Sequence, residues 1–136
     1  MKILVPKHSE LQIPMFPSKV PAGFPSPADE YLGDVLDLNE YMIKTKSSTF
    51  FITVEGDSMV DAGILDGDVV VVDRSLTAKH GSIVIAAVDN EFTLKRLSLK
   101  TGVGLLPENK DYKPIYLSGE SELLIWGCVT GVVRKL

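Results

Sequence analysis

The chain has 136 residues, of which 45% are hydrophobic and 24% are charged, and its formal net charge is −4. This length suffices for one domain with a hydrophobic core and is short for two, and the hydrophobic content excludes disorder throughout. The mildly acidic balance argues against a protein that coats nucleic acid, because such proteins usually carry a basic domain.

The cysteine content and the lack of a targeting segment indicate the compartment. Cys128 is the only cysteine and cannot form an internal disulfide, which fits a reducing environment. Its place in the apolar run from Leu123 to Val133 predicts a buried, inert thiol. No apolar run reaches membrane-spanning length, and the N-terminus lacks the apolar core of a signal peptide. We therefore expect a soluble, cytoplasmic protein that does not bind membranes.

Residues 1–30 differ from the rest of the chain in their proline content. They hold six of the eight prolines, at positions 6, 14, 17, 21, 25 and 27. Each proline removes a backbone donor and biases the residue before it toward extended conformations, so neither a helix nor a central strand is expected. We predict an extended N-terminal arm, with a disordered tail as the alternative. An accessible, extended backbone is what a protease cleft can bind.

Residues 31–136 are predicted to form one β domain. At its start, Leu38, Tyr41 and Met42 follow a helical spacing, which indicates a short helix within Leu36–Ile43 capped by Asp37. Seven strands are then predicted, at Thr49–Glu55, Val69–Asp73, Ser82–Val88, Glu91–Leu99, Val103–Leu106, Ile115–Leu117 and Leu123–Val133. Short strands at this spacing favour a mostly β fold with a curled, antiparallel sheet. The unbroken run from Val69 to Val72 predicts a strand that is covered on both faces.

A serine on a turn is the first candidate for chemistry. Ser58 follows Gly56 and Asp57 at the end of an apolar run, so its hydroxyl can project free of the sheet. Gly56 permits a tight bend, and the backbone N–H groups of a short helical turn after Ser58 would have no intrahelical partner. Such N–H groups can hold an oxyanion. The alternative is a plain strand-to-turn junction, since Gly, Asp and Ser all favour turns.

A lysine in the middle of a predicted strand is the second candidate. If Asp89-Asn90 is the two-residue turn of a hairpin, Val88 faces Glu91 and Val84 faces Lys95. Burial among apolar neighbours would lower the pKa of this lysine, because burial penalises the charged form. A neutral lysine can take a proton from a serine hydroxyl. The alternative is a lysine that protects an exposed strand edge.

The order and spacing of four sequence blocks resemble the LexA/UmuD-type family of Ser-Lys self-cleaving proteins. The blocks are Gly56-Asp57-Ser58-Met59, Gly63–Asp68, Gly81–Val84 and Glu91–Arg96. The resemblance implies the C-terminal β fold of that family, with Ser58 as nucleophile and Lys95 as general base. It also implies that the backbone N–H groups of Asp57 and Ser58 act as oxyanion donors.

The resemblance extends to a cleavage site in the arm. Ala22-Gly23 matches the bond between a small residue and glycine that members of the family cut in themselves, and the run from Gly23 to Ala28 is similar to the sequence after the cut in UmuD-like members. Small groups on both sides let the bond approach a nucleophile closely. Ala22 stands where UmuD-like members carry a cysteine, and in this it is similar to LexA-like members.

The resemblance also implies a biological role. Self-cleavage would belong to the SOS response to DNA damage and would be promoted by RecA filaments on single-stranded DNA. The cut chain would then serve as the accessory subunit of a UmuC-like, Y-family translesion DNA polymerase, and the family also implies a homodimer. The sliding clamp is a further candidate partner. No cofactor is implied.

Other functions were weighed against this one. A LexA-like repressor needs a DNA-binding head, which thirty proline-rich residues cannot form, and the basic pairs Lys95-Arg96 and Arg134-Lys135 are too few for direct, sequence-specific DNA binding. A Ser-Lys peptidase that acts on other proteins would normally carry a membrane anchor. Two alternatives remain: that peptidase, and a binding module that keeps the LexA-like fold without peptidase activity.

Two other sets of residues were considered as sites. His80 could complete a Ser-His-Asp triad, but Lys79-His80-Gly81 is typical of a solvated turn. The four carboxylates between Asp57 and Asp68 do not follow the spacing of a calcium-binding loop, so we expect no metal site.

Overall fold

The computed structural model describes residues 2–6, 12–14, 19, 22–23, 35–120 and 122–136. The chain divides into two compact units. Met1–Pro6 and Thr45–Leu136 form one unit, and Lys7–Lys44 form the other. The predicted boundary between residues 30 and 31 lies outside the described residues. Each helix in the described part of the chain is too short or too polar to cross a membrane.

The larger unit is built on an open antiparallel sheet, to which eight strands belong among the described residues. The spatial order is β1-β4-β5-β10-β6-β7-β8-β9. The strands are β1 Lys2–Leu4, β4 Thr49–Thr53, β5 Val69–Asp73, β6 Ile83–Val88, β7 Glu91–Ser98, β8 Gly104–Leu106, β9 Ile115–Tyr116 and β10 Leu123–Val133. All neighbouring pairs are antiparallel. The prediction of a mostly β, antiparallel fold is confirmed, and five of the seven predicted strands are shorter than predicted by one or two terminal residues.

Two apolar clusters hold the sheet, and alternation along its strands assigns them to opposite faces. On β6, Val84 and Ala86 belong to one cluster and Ile85 to the other. On β7, Leu97 shares the cluster of Val84, whereas Leu94 shares that of Ile85. Because side chains alternate across a strand, both faces of the sheet are covered. The same holds for β5, where three consecutive valines at positions 70–72 are at most 1% exposed, as the unbroken valine run predicted.

The hairpin of β6 and β7 has the predicted register. Val88 pairs with Glu91 and Val84 with Lys95. Asp89 and Asn90 form the turn with φ of 47° and 69°, which is the combination of a type I′ turn. This turn suits the right-handed twist of the two strands and thereby fixes which residues of β7 share a face of the sheet.

The smaller unit contains two strands and one short helix among its described residues. β2 Gln12–Pro14 pairs with β3 Val35–Asp37 in an antiparallel ribbon. Helix α1, Leu38–Met42, follows directly, and the Asp37 carboxylate accepts a hydrogen bond from Asn39 N–H at 3.0 Å. The predicted cap is confirmed, although the helix is shorter than predicted because Leu36 and Asp37 belong to β3 or to the cap.

The arm contains strands as well as prolines. β1 lies at the edge of the large sheet, where Ile3 pairs with Ile52 of β4, and β2 ends at Pro14. Neither strand is a central strand of the described sheets, and the extended conformation of the whole arm stays a prediction. Among the described residues each of them has one strand neighbour, so Pro14 lies where one side of the backbone needs no ladder hydrogen bonds.

Candidate active site

Ser58 lies on a turn that is held by hydrogen bonds from outside the turn. β4 ends at Thr53, and the chain then bends at Gly56, whose φ of +92° is a conformation that residues with a Cβ rarely adopt. Gly56 N–H donates to the Asp66 carboxylate at 2.7 Å. A short 3₁₀ helix follows at Val60–Ala62. Ser58 is therefore half-exposed on a fixed turn, as the sequence predicted.

Lys95 is placed by the register of β7. Strand β7 lies between β6 and β8, and Val84 of β6 is the cross-strand neighbour of Lys95. Lys95 is only 8% exposed. Desolvation by burial lowers the pKa of Lys95 from its ordinary value. The alternative of a lysine at an exposed edge is therefore wrong, because the strand is interior and the side chain is buried.

The two side chains meet. Lys95 Nζ lies 3.0 Å from Ser58 Oγ, 2.9 Å from Thr93 Oγ1 and 3.0 Å from the Leu94 carbonyl oxygen. A neutral amine has two N–H donors and one lone pair. The Leu94 carbonyl can only accept, and Thr93 can accept the second N–H. The lone pair is then left for the Ser58 hydroxyl, which is the arrangement that a general base requires.

A loop from later in the chain supports the serine turn. Asn109 Nδ2 donates to the Asp57 carbonyl oxygen at 2.9 Å, and the Tyr112 hydroxyl donates to the Asp57 carboxylate at 2.6 Å. The latter hydrogen bond raises the pKa of the Tyr112 phenol. Glu108 N–H donates to the Ser58 carbonyl oxygen at 2.8 Å. The sequence analysis did not identify these loop residues as part of the site, because no motif marks them.

The same loop is tied to the strand that carries the lysine. Glu108 accepts from the Arg96 guanidinium, and Arg96 also donates to the Gly81 carbonyl oxygen at 2.7 Å. Arg96 follows Lys95 directly and points to the opposite face of β7. The loop therefore links the two elements that bring Ser58 and Lys95 together.

A cleft of about 560 Å³ opens over the two side chains. Its walls are the serine turn and the first half of β7, and its lining residues are Val54–Met59, Glu91–Lys95 and Tyr112. Met59, Phe92 and Leu94 supply apolar surface, whereas Glu55 and Asp57 are exposed acidic groups. A cleft that combines apolar and polar lining groups around one nucleophile is suited to a peptide.

Comparison with known proteins identifies the family. The model of the family described as Peptidase S24-like matches residues 14–130, which span both the arm and the β domain. The chain belongs to the Peptidase S24-like family.

Relatives of this S24-like chain match over most of its length. Protein MucA from Salmonella typhimurium is 51% identical over 119 residues, which cover 87% of this chain and 82% of MucA. Protein SamA, also from Salmonella typhimurium, is 44% identical over 135 residues, which cover 98% of this chain and 94% of SamA. The LexA repressor of Clostridium novyi is 39% identical over 133 residues, which cover 97% of this chain and 64% of the repressor. The expected LexA/UmuD-type family and its peptidase character are confirmed.

The predicted cleavage site of this S24-like chain lies in the smaller unit. Ala22 and Gly23 form a bend, and both are exposed. The following residues of the motif, Phe24 to Ala28, lie outside the described residues. The assignment of the scissile bond stays a prediction.

Two other side chains considered in the sequence analysis, His80 and Cys128, have their own surroundings. His80 is exposed, and its Nδ1 accepts from Leu99 N–H at 3.0 Å, while Lys95 is the side chain that contacts the Ser58 hydroxyl. Cys128 is 6% exposed in the apolar cluster of Val84, as predicted. Burial, and then the nearby Asp73, raises the pKa of the Cys128 thiol, which keeps it unreactive.

Proposed function

We propose that the chain is a self-cleaving serine endopeptidase of the SOS response, which cuts its own arm at Ala22-Gly23. The observation that carries this proposal is the 3.0 Å contact between Ser58 Oγ and the amine of a buried Lys95. Burial favours the neutral amine, and the two other partners of that amine leave its lone pair to the serine. Membership of the Peptidase S24-like family supports the same reaction class.

Acylation begins when Ser58 Oγ attacks the carbonyl carbon of Ala22 and gives its proton to Lys95 Nζ. The carbonyl oxygen becomes an oxyanion, for which the N–H groups of Asp57 and Ser58 are the proposed donors. The bond from the Ala22 carbonyl carbon to the Gly23 nitrogen then breaks, and the Lys95 ammonium protonates the leaving amine. The product of this half-reaction is an ester between Ala22 and Ser58.

Deacylation uses the same groups in reverse. Lys95, neutral again after protonating the leaving amine, takes a proton from water as that water attacks the ester. The tetrahedral intermediate releases Ser58 Oγ, which recovers its proton from Lys95. The fragments are residues 1–22 with a new carboxylate and residues 23–136 with a new amine. Because each chain has one such bond, cleavage acts as a switch and not as a turnover reaction.

The cut would change the large sheet as well as the arm. Residues 1–22 include β1, which covers the edge of β4, and Ile3 lines a cavity of about 200 Å³ with Ile52 and Trp126. Departure of β1 would leave β4, still paired with β5, as an open edge of the sheet, and an extended segment of another protein can add to such an edge. This is a physical route from cleavage to new partners.

The proposed role of the cut chain is that of accessory subunit to a UmuC-like, Y-family translesion polymerase. RecA filaments on single-stranded DNA would promote the cut, the chain would act as a homodimer in the cytoplasm, and the sliding clamp would be a further partner. The LexA/UmuD-type family membership supports this role.

The test is intact-mass spectrometry of the purified full chain at alkaline pH, beside Ser58→Ala and Lys95→Ala. We expect a single break after Ala22 in the wild type and none in either variant. A break that survives in Lys95→Ala would contradict the lysine base. An intact wild type, even with RecA filaments on single-stranded DNA, would favour a binding module that has kept the fold without the chemistry.

A further inference from the structure

The peptide plane before Ser58 is held by the side chain of Asn109. The Asp57 carbonyl oxygen accepts from Asn109 Nδ2 at 2.9 Å and from Val60 N–H at 3.3 Å. The described residues contain no cis peptide bond, so the bond between Asp57 and Ser58 is trans and planar. In a trans peptide the C=O and the N–H point in opposite directions. A hydrogen bond that fixes the Asp57 carbonyl therefore also fixes the direction of Ser58 N–H.

The amide of Asn109 has one orientation, which its own partners determine. Asn109 Oδ1 accepts from Asp111 N–H at 3.0 Å, and a backbone N–H can only donate. The oxygen of the amide must therefore face Asp111, and Nδ2 must face the Asp57 carbonyl. The donor is thus aimed by the fold before any substrate arrives.

Ser58 N–H is available for a ligand. Among the described residues it donates no hydrogen bond, although Ser58 is half-buried and its own carbonyl accepts from Glu108 N–H at 2.8 Å. The peptide planes on both sides of Ser58 are therefore fixed from the same loop. An oxyanion hole needs donors that are oriented in advance, because reorientation during the reaction costs activation energy.

We propose that Asn109 is a positioning residue of the oxyanion hole, because it aims Ser58 N–H through the carbonyl of the same peptide. This inference rests on the proposed self-cleavage. It assigns Asn109 no contact with the substrate. It also separates Asn109 from Tyr112, which ties the same loop to the Asp57 side chain and leaves the peptide plane untouched.

The test measures self-cleavage of the full chain by intact-mass spectrometry across alkaline pH. In Asn109→Asp an oxygen replaces the donor, while the other oxygen can still accept from Asp111 N–H. Asn109→Ala removes the donor without adding charge. Tyr112→Phe removes the other side-chain tie of the loop, and Lys110→Gln makes the same change in net charge at the neighbouring exposed position. Thermal melting of each variant reports its folding.

We expect both Asn109 variants to slow cleavage by about 10- to 100-fold, since loss of an oxyanion donor itself costs more. The plateau rate should fall while the inflection of the pH profile, which reports Lys95, stays in place. Lys110→Gln, at an exposed position outside the cleft lining, should remain within about threefold of the wild type. Tyr112→Phe should lose less activity than either Asn109 variant, because its hydrogen bond reaches the Asp57 side chain and not the peptide plane.

Three results would overturn the inference. The first is that the folded Asn109 variants cleave themselves as fast as the wild type does. The second is an equal loss of rate in Tyr112→Phe, and the third is a shifted inflection of the pH profile, since either would assign Asn109 to general support of the loop.

If the wild type does not cleave itself, the inference is tested by labelling Ser58 with a fluorophosphonate, whose phosphoryl oxygen occupies the oxyanion position. Slower labelling of Asn109→Asp than of the wild type would support the inference independently of self-cleavage. Labelling at the same rate in both proteins, or no labelling of the wild type, would overturn it.

Discussion

The two halves of the site are positioned by different means. Lys95 belongs to an eight-residue strand with a strand on each side, and its side chain is 8% exposed. Ser58 follows three exposed residues on a turn that depends on side chains from elsewhere, above all Asp66 and Asn109. A base with a lowered pKa must be buried, whereas a nucleophile must be reached by its substrate. Sheet register meets the first need, and a supported turn meets the second.

The largest effect should come from replacing the base while its charge is kept. Lys95→Arg leaves a cation on β7, but a guanidinium does not lose its proton near neutral pH. We expect self-cleavage to fall by at least about 100-fold, the usual contribution of a general base. Intact-mass spectrometry measures the rate, and Lys100→Arg, at an exposed position just after the same strand, is the control. Retained cleavage in Lys95→Arg would mean that burial of a cation, and not proton transfer, is what the strand provides.

The pH dependence of the self-cleavage rate should report the titration of the buried Lys95. Since burial lowers the pKa of Lys95 from its ordinary value of 10.5, the cleavage rate should rise about tenfold per pH unit and level off below that value. A rate that is flat from mildly acidic to alkaline pH would contradict the assignment.

Stability should respond to the same titration in a defined direction. Below pH 10.5 the unfolded chain binds a proton at Lys95 that the folded chain resists, so the wild type loses stability as pH falls from 10.5 to the lowered pKa. Lys95→Met removes this dependence. We expect this variant to melt at a higher temperature than the wild type at neutral pH, with a gap that narrows toward pH 10.5. A gap that is constant with pH would indicate that packing alone separates the two proteins.

The lysine half of the site was predictable from the sequence, and the support of the serine half was not. The Asp89-Asn90 turn and a period of two residues were enough to place Lys95 opposite Val84. Asn109 lies 52 residues from the carbonyl it holds, and the sequence around it shows only a turn. Likewise, the prolines predicted an extended arm but not that Ile3 pairs with Ile52. The period of a strand and the turn of a hairpin predict the pairing of its residues. Contacts between segments far apart in the chain leave no such pattern in a single sequence.

An ion pair between the buried Asp68 and the partly exposed Arg134 should have a moderate effect on stability. Asp68 is 3% exposed, accepts from the Arg134 guanidinium at 2.6 and 2.7 Å, and belongs to the same turn as Asp66, which holds Gly56. Arg134→Gln leaves this carboxylate with the hydrogen bond from Leu65 N–H. Because the Arg134 side chain is 39% exposed and its charge is screened by solvent, we expect a modest but measurable loss in the free energy of unfolding. Denaturant unfolding measures it.

Denaturant unfolding repeated at acid pH tests whether Asp68 is the carboxylate responsible. The hydrogen bond from Arg134 lowers the pKa of Asp68 below its ordinary value of 3.8, so the pair stabilises the fold above that pH and the contribution is lost as pH falls through the lowered pKa. The gap between wild type and Arg134→Gln should therefore close in acid. Lys135→Gln removes the same charge at the next, exposed position and should show no such gap. If both variants lost the same free energy of unfolding relative to the wild type, the effect would come from net charge and not from the ion pair.

The smallest effect should come from the bend itself, at Gly56. With φ at +92° and nothing within 4 Å of a Cβ built there, Gly56→Ala meets conformational strain without a steric clash. We expect a loss of about 1 kcal/mol in the free energy of unfolding, and a smaller loss for Gly56→Asn, since asparagine tolerates positive φ better. Gly119→Ala is the control, because that glycine also has open space and is not at positive φ. Equal stability of Gly56→Ala and Gly119→Ala would mean that the turn relaxes in solution. The serine half would then depend on its distant side chains alone, and the contrast with the strand-held lysine would be sharper than the structure suggests.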